Sequence, residues 1–351
     1  MGIKKPIWIY WLLIVCKRHC LYIPMDITEA VRSGAVSELL TLFRNHSDEI
    51  DLSTQAWDGT ALHIAVDNKD MDTITLLLNN KADVNIQDSY NQTPLHNAVC
   101  SKDKDIVKLL LDHGADCNIR DEEGYTPFHV AVYDQDMDIA EMMLNYGVGV
   151  GACCYKGNTP LHTAVLRKDM GIIKLLLDNG ADIAETGEYG DTVLHLAVEQ
   201  EDMNIVKLFL DHGVDVDVRD DNIYTALHQS VYGDKLKCAK YLVENGADLN
   251  IPDPRYGPII HHAIDKGNVE FVILLLDNGA DTNMPDYYGM TSLHHAVKNG
   301  DGRVVNILLD NKANPWVFDL SGNLPLSYAK STETLTPLVV SMAMRRAREV
   351  S

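Results

Sequence analysis

The chain has 351 residues, with 51 acids against 30 lysines and arginines and a formal charge of −21. A chain this acidic repels phosphate backbones, which sets aside direct binding to nucleic acid or to an anionic membrane. Its seven cysteines, Cys16, Cys20, Cys100, Cys117, Cys153, Cys154 and Cys238, are odd in number and lack framework spacing, so they read as reduced thiols of an intracellular protein.

Residues 1–24 form an apolar and basic leader. Lys4, Lys5, Lys17 and Arg18 stand there without an acid, so the rest of the chain carries −25. The apolar run Ile7 to Cys16 is too short to span a bilayer. Lys17-Arg18-His19 follows it where a signal peptidase needs small residues, and Pro6 occupies the Ser/Thr place of a myristoylation signal. Three readings stay open: a true start at Met25, a membrane-associating peptide, and a peptide docked on the first repeat unit. Residues 25–56 predict two short helices, Ile27–Arg32 and Val36–Phe43, as an amino-terminal cap.

From there the chain keeps a ruler. His63, His96, His129, His162, His195, His228, His261 and His294 stand 33 residues apart without insertion or deletion. Before them come triplets such as Thr93-Pro94-Leu95, Thr126-Pro127-Phe128 and Thr159-Pro160-Leu161, and two positions after them Ala65, Ala98, Ala131, Ala164, Ala197, Ser230, Ala263 and Ala296. A fixed period of this length marks a repeat architecture, which overrules the two or three domains that length alone suggests. Eight full units are present, 57–89, 90–122, 123–155, 156–188, 189–221, 222–254, 255–287 and 288–320, with a carboxy-terminal cap and tail over 321–351.

Each unit reads as helix, turn, helix, hairpin. The Thr hydroxyl can take a backbone N–H at the start of the first helix, and Pro at the first helical position gives up a donor without a partner. The Ala marks a close helix contact. The second helix carries apolar residues at helical spacing, as in Ile172, Ile173, Leu175, Leu176 and Leu177. Gly114, Gly180, Gly213, Gly246 and Gly279 then supply positive φ. Lys81 and Lys312 replace that glycine, at a cost of up to about 1 kcal/mol each if the left-handed turn is kept. Gly147-Val148-Gly149-Val150-Gly151 lacks the Lys-Ser/Thr of a phosphate loop and reads as a degenerate hairpin and a soft joint. In the last register Leu324-Pro325-Leu326-Ser327 stands in the motif's place and Ala329 keeps the alanine position, and one more helix is expected after Ser331.

The histidine-rich register does not imply a metal. Consecutive units stack about one helix diameter, ~10 Å, apart, and adjacent residues such as His261-His262 or His294-His295 point to different helix faces, so no metal site is expected. No nucleophile with a base and no pair of carboxylates outside the repeat appears, so neither an enzyme nor a cofactor is expected.

The period and the Thr-Pro-Leu-His-x-Ala signature resemble the ankyrin-repeat family over roughly Met25 to Lys330. The resemblance implies an all-α solenoid of paired antiparallel helices with hairpin loops, acting as a non-catalytic protein-binding scaffold. It also implies that Met25-Asp26-Ile27-Thr28 resembles an ankyrin cap, and that the hairpin tips and first-helix face form the binding surface. The candidates there are Trp57, Tyr90, Glu122, Glu123, Tyr155, Tyr189, Asp221, Arg255, Tyr287 and Tyr288, aromatics and acids that suit a protein interface. Asn85, Asn118, Asn250 and Asn283 resemble the asparagines that ankyrin proteins offer to an asparaginyl hydroxylase, and equally suit hairpin asparagines bonding their own backbone. The array is similar to ankyrin proteins of large poxviruses or intracellular bacteria, although the 21 residues after Lys330 are too few for the F-box-like segment that ends many poxviral members. The expectation is a monomeric cytoplasmic adaptor or host-factor binder, its partner another protein with a basic surface. A membrane-tethered scaffold using the leader is the alternative.

Overall fold

The computed structural model describes residues 27–34, 36–46, 51–56, 59–253 and 255–350. The chain divides into two compact units, Met1–Cys154 and Tyr155–Ser351. In the first, helix α1 (Ile27–Arg32) pairs with α2 (Val36–His46), which runs three residues past the predicted end. A two-residue hairpin, β1 (Gln55–Ala56) with β2 (Gly59–Thr60), leads to α3 (Ala61–Asp67) and α4 (Met71–Asn79). Then come α5 (Pro94–Cys100) and α6 (Lys104–Asp112), and α7 (Pro127–Tyr133) and α8 (Met137–Asn145).

The second unit continues with α9 (Pro160–Leu166) and α10 (Met170–Asp178), then α11 (Val193–Glu199) and α12 (Met203–Asp211). Next are α13 (Ala226–Tyr232) and α14 (Leu236–Glu244). The hairpin of β3 (Pro252–Asp253) and β4 (Gly257–Pro258) precedes α15 (Ile259–Asp265) and α16 (Val269–Asp277). α17 (Ser292–Asn299), α18 (Gly302–Asp310) and the terminal α19 (Thr332–Val350) close the chain. First helices begin every 33 residues from Ala61 to Ser292, as the ruler requires.

Within each unit a first helix packs on its own second helix and on the next first helix. The register alanines Ala65, Ala98, Ala131, Ala164, Ala197, Ala263 and Ala296 are fully buried, so nothing larger fits between neighbours. The register histidines staple the array. Nδ1 of His96 accepts the Thr93 N–H (3.0 Å) and faces Thr93 Oγ1 (2.9 Å), while Nε2 donates to the carbonyl of Tyr125, 29 residues on (3.2 Å). His63, His162, His195 and His294 repeat the arrangement toward Gln92, Asp191, Tyr224 and Asn323. A lone pair at Nδ1 and a proton at Nε2 define one neutral tautomer, and burial holds these rings below the usual imidazole pKa.

The turn after each second helix is left-handed as expected, and Lys81 (φ 66°) and Lys312 (φ 68°) keep it without a glycine. The second helices carry N-caps of their own: Asp70, Asp103, Asp136, Asp169, Asp202 and Asp301 each accept a backbone N–H of the first turn. The last register departs from the motif. Leu324 has no hydroxyl and Ser327 no ring, so Pro325–Tyr328 forms only a 3-10 turn, and Ala329 is half-buried. Cys100, Cys117, Cys153, Cys154 and Cys238 are unbridged thiols. Among the described residues no helix is long and apolar enough to cross a membrane.

Candidate protein-binding surface

Most hairpin tips are built around one aspartate, whose place is taken by Cys154 and Gly187 in the Tyr155 and Tyr189 tips. Asp88 Oδ1 accepts the N–H groups of Tyr90 (2.9 Å) and Gln92 (2.8 Å), and Asp121, Asp220, Asp286 and Asp319 do the same in their own turns. That fixes the backbone of the tip and turns the next residues outward. Neighbouring tips are joined through the main chain: Glu122 N–H donates to Tyr90 O, Asp221 N–H to Tyr189 O and Leu320 N–H to Tyr288 O, each at 2.9 Å. Tip side chains are thus held on a rigid backbone.

Tyr90, Tyr155, Tyr189, Tyr287 and Tyr288 are between 56% and 71% exposed as residues, so they stand free of the core. Glu122, Glu123, Asp221 and Arg255 are exposed beside them. The bonds above bring Tyr90 next to Glu122, and Tyr189 next to Asp221. Trp57 lies outside the described residues.

The asparagine candidates do structural work. Asn85 Oδ1 accepts the Asp116 N–H (2.7 Å), Asn250 Oδ1 the Asp281 N–H (2.9 Å) and Asn283 Oδ1 the Asn314 N–H (2.7 Å), each tying one hairpin to the next. Asn118 instead turns its amide to Asp116 Oδ1 within its own turn (3.0 Å).

Two features of this surface were missed in the sequence. Trp316, Phe318 and Leu320 are 43%, 62% and 81% exposed and lengthen the row at its carboxy-terminal end. They take the register places of Asn283, Pro285 and Tyr287, so aligning the hairpins by period would have found them. Ile223, also exposed, sits at φ 70° where the corresponding Gly124, Gly157, Gly190, Gly289 and Gly322 supply positive φ.

At one seam the structure overturns the expectation that histidines of consecutive units stand too far apart to meet. His261 of α15 and His295 of α17 stack with ring centroids 4.6 Å apart, because His295 reaches back toward the preceding helix pair.

A profile of ankyrin repeats (three copies) matches residues 27–121, 117–187, 184–253 and 255–319. Among solved structures the chain is similar to the crystal structure of the ankyrin repeat domain of Bcl-3, described as a unique member of the IkappaB protein family. Identity is 28% and the TM-score 0.58, over 62% of this chain and 100% of that one. No curated protein matches.

Proposed function

This chain belongs to the ankyrin-repeat family, whose members generally serve as protein–protein interaction scaffolds, and on that premise we propose that it is a non-catalytic adaptor that binds its partner through the hairpin tips and first-helix face. The observation that carries the reading is the set of exposed tip tyrosines on hydrogen-bonded backbone. Aromatic anchors carried on an already ordered backbone lose less entropy on binding than ones on a loose loop, which is where affinity is otherwise lost. Trp316, Phe318 and Leu320 extend the same surface with apolar area. The excess of acid favours a partner with a basic surface, and the adaptor is expected to act as a monomer in the cytoplasm.

The test is proximity labelling or capture with the purified chain, followed by affinity measurement on the captured protein. Replacing Tyr189, Tyr287 and Tyr288 with Ser should weaken it by over tenfold, the effect of losing about 2 kcal/mol of anchor contact, while leaving the melting curve in place. Lys174→Ser, on the exposed side of a second helix, should change little. Association should speed up at low salt, since rim charges act mainly on the on-rate. Binding that is lost in Lys174→Ser and retained in the tyrosine variant would move the interface to the other face.

A further inference from the structure

The seam between α15 and α17 differs from the others in the second unit. Elsewhere a Thr hydroxyl and N–H occupy Nδ1 of the register histidine, but before His261 the cap is Pro258, which has neither. His261 therefore takes another hydrogen-bonding pattern. Its Nδ1 donates to the Tyr256 carbonyl (3.3 Å), and its fully buried Nε2 has no hydrogen-bond partner. Nε2 of His228 and of His262 is buried and unpaired as well, so what sets His261 apart is the company of a second imidazole and a carboxylate.

Beside it stands His295. Its Nδ1 meets both Asp265 oxygens (3.0 and 3.1 Å) and its Nε2 meets Asp286 Oδ2 (3.1 Å). Asp286 Oδ1 is already held by the Tyr288 and Met290 amides, so Oδ2 is fixed in place. A ring nitrogen of His261, a ring nitrogen of His295 and a carboxylate oxygen of Asp286 lie within 4.8 Å of one another. The seat of His295 is an ordinary lateral one, since Asn97 reaches Asp67 from the same register place (3.0 Å). The other units carry Ile64, Asn97, Val130, Thr163, Leu196, Gln229 and His262 there. Among the described residues, His261, Asp286 and His295 alone form such a group.

We propose that His261, Asp286 and His295 bind one divalent transition-metal ion of the zinc class, with the Tyr256 carbonyl and Asp265 orienting the two imidazoles. The donor set of two neutral imidazoles and a carboxylate suits zinc, and zinc–ligand bonds of about 2.0–2.2 Å place neighbouring ligand atoms roughly 3.4 Å apart in a tetrahedron. The His295–Asp286 spacing is already within a few tenths of that, whereas His261 lies stacked on His295 with the ring planes 20° apart and must swing out of the stack to point its Nε2 at the same ion. Both imidazoles show the outer bond, carbonyl or carboxylate on the far nitrogen, that fixes the tautomer and strengthens a metal-bound histidine. The ion replaces the proton shared between His295 Nε2 and Asp286 Oδ2, so binding releases that proton and sets +2 against the charges of Asp265 and Asp286. Three protein ligands leave a fourth position for water. Because the ligands come from α15, the hairpin and α17, the ion would clamp successive helix pairs independently of any partner on the tips.

The experiment is titration of the untagged full chain with Zn²⁺ by calorimetry and with Co²⁺ by visible absorption. One ion per chain is expected, with tetrahedral d–d bands and without the near-ultraviolet thiolate band that cysteine ligation would add. His295→Gln and Asp286→Asn should each weaken uptake more than tenfold, and Asp265→Asn by about 10- to 100-fold through the outer bond. His113→Gln, on the exposed end of α6, should leave it unchanged. Zinc should also raise the melting temperature of the parent chain but not of Asp286→Asn. The proposal is overturned if the parent chain takes up no ion, if uptake survives unchanged in His295→Gln and Asp286→Asn, or if a thiolate band dominates. Should a variant fail to fold by circular dichroism, saturable one-ion uptake by the parent chain without that band still decides the question.

Discussion

At the scale of single residues, the register histidines do two jobs that need the neutral ring. Protonation would put a second N–H against the Thr N–H that Nδ1 now accepts. His63, His96, His162 and His195 have folded pKa values below the unfolded value near 6.5, chiefly from burial. Below pH 6.5 the unfolded chain therefore binds more protons than the folded one, and stability must fall with pH. Melting temperature should hold above pH 7 and decline steadily toward pH 5, as calorimetry across that range will check. Asp191 has the opposite sign. Burial pushes its carboxyl up to about 6, so its stability contribution is full below the unfolded value of 3.8 and is lost as pH rises through 6. Asp191→Asn should raise the melting temperature at pH 7.5 and leave it unchanged near pH 4. The new amide would also offer a donor to Gln229 Oε1, which is buried without a partner. Ile223→Gly tests backbone strain: a β-branched residue at φ 70° costs roughly 1–2 kcal/mol, partly offset by glycine's freedom in the unfolded chain, so a gain of up to about 1 kcal/mol is expected in a denaturant melt.

At the scale of the elements, the unit is a helix pair whose first helix is only seven residues long, too short to be stable without its neighbours. Its caps and its close alanine contact do what length cannot. Ala164→Leu, at a fully buried contact between α9 and its neighbours, should cost roughly 1–3 kcal/mol through overpacking. Tyr189→Ala on the exposed tip should stay within about 0.5 kcal/mol. Equal losses in paired denaturant melts would mean that core and surface have been misassigned. The elements also explain much of the acid excess. Aspartates recur as N-caps of second helices and as the residues that close most tips, so the charge of −21 follows in part from backbone amides needing acceptors.

At the scale of the whole molecule, the boundary after Cys154 follows directly on the glycine run 147–151. Gly149 and Gly151 stand in the register of Asp116 and Asn118, the side chains that tie a hairpin turn to itself, so this hairpin has no side chain to make such bonds. In a repeat protein stability is a sum of unit and neighbour terms, and a hairpin without its side-chain ties is a weak place in that sum. Limited proteolysis read by mass spectrometry should cut residues 147–154 before any other described loop. The double substitution Gly149→Asp, Gly151→Asn should slow that cut. A first cut elsewhere would locate the weak point differently.

The sequence by itself determined the helix pairs, their starts near each motif Thr, and the left-handed turns at the glycines, while the structure shows that Lys81 and Lys312 keep that turn without one. Each of those depends on interactions within one 33-residue period: a capping hydroxyl, an apolar stripe, a turn. The tyrosine tips were legible for the same reason, since a turn residue with no apolar partner in its own unit faces water. What only the tertiary structure decided is how one unit meets the next. The meeting of His261, His295 and Asp286, the hairpin-to-hairpin bonds of Asn85, Asn250 and Asn283, and the boundary after Cys154 join or separate residues some 30 positions apart. Their geometry depends on the rotation and rise between neighbouring units, which a period in sequence does not specify.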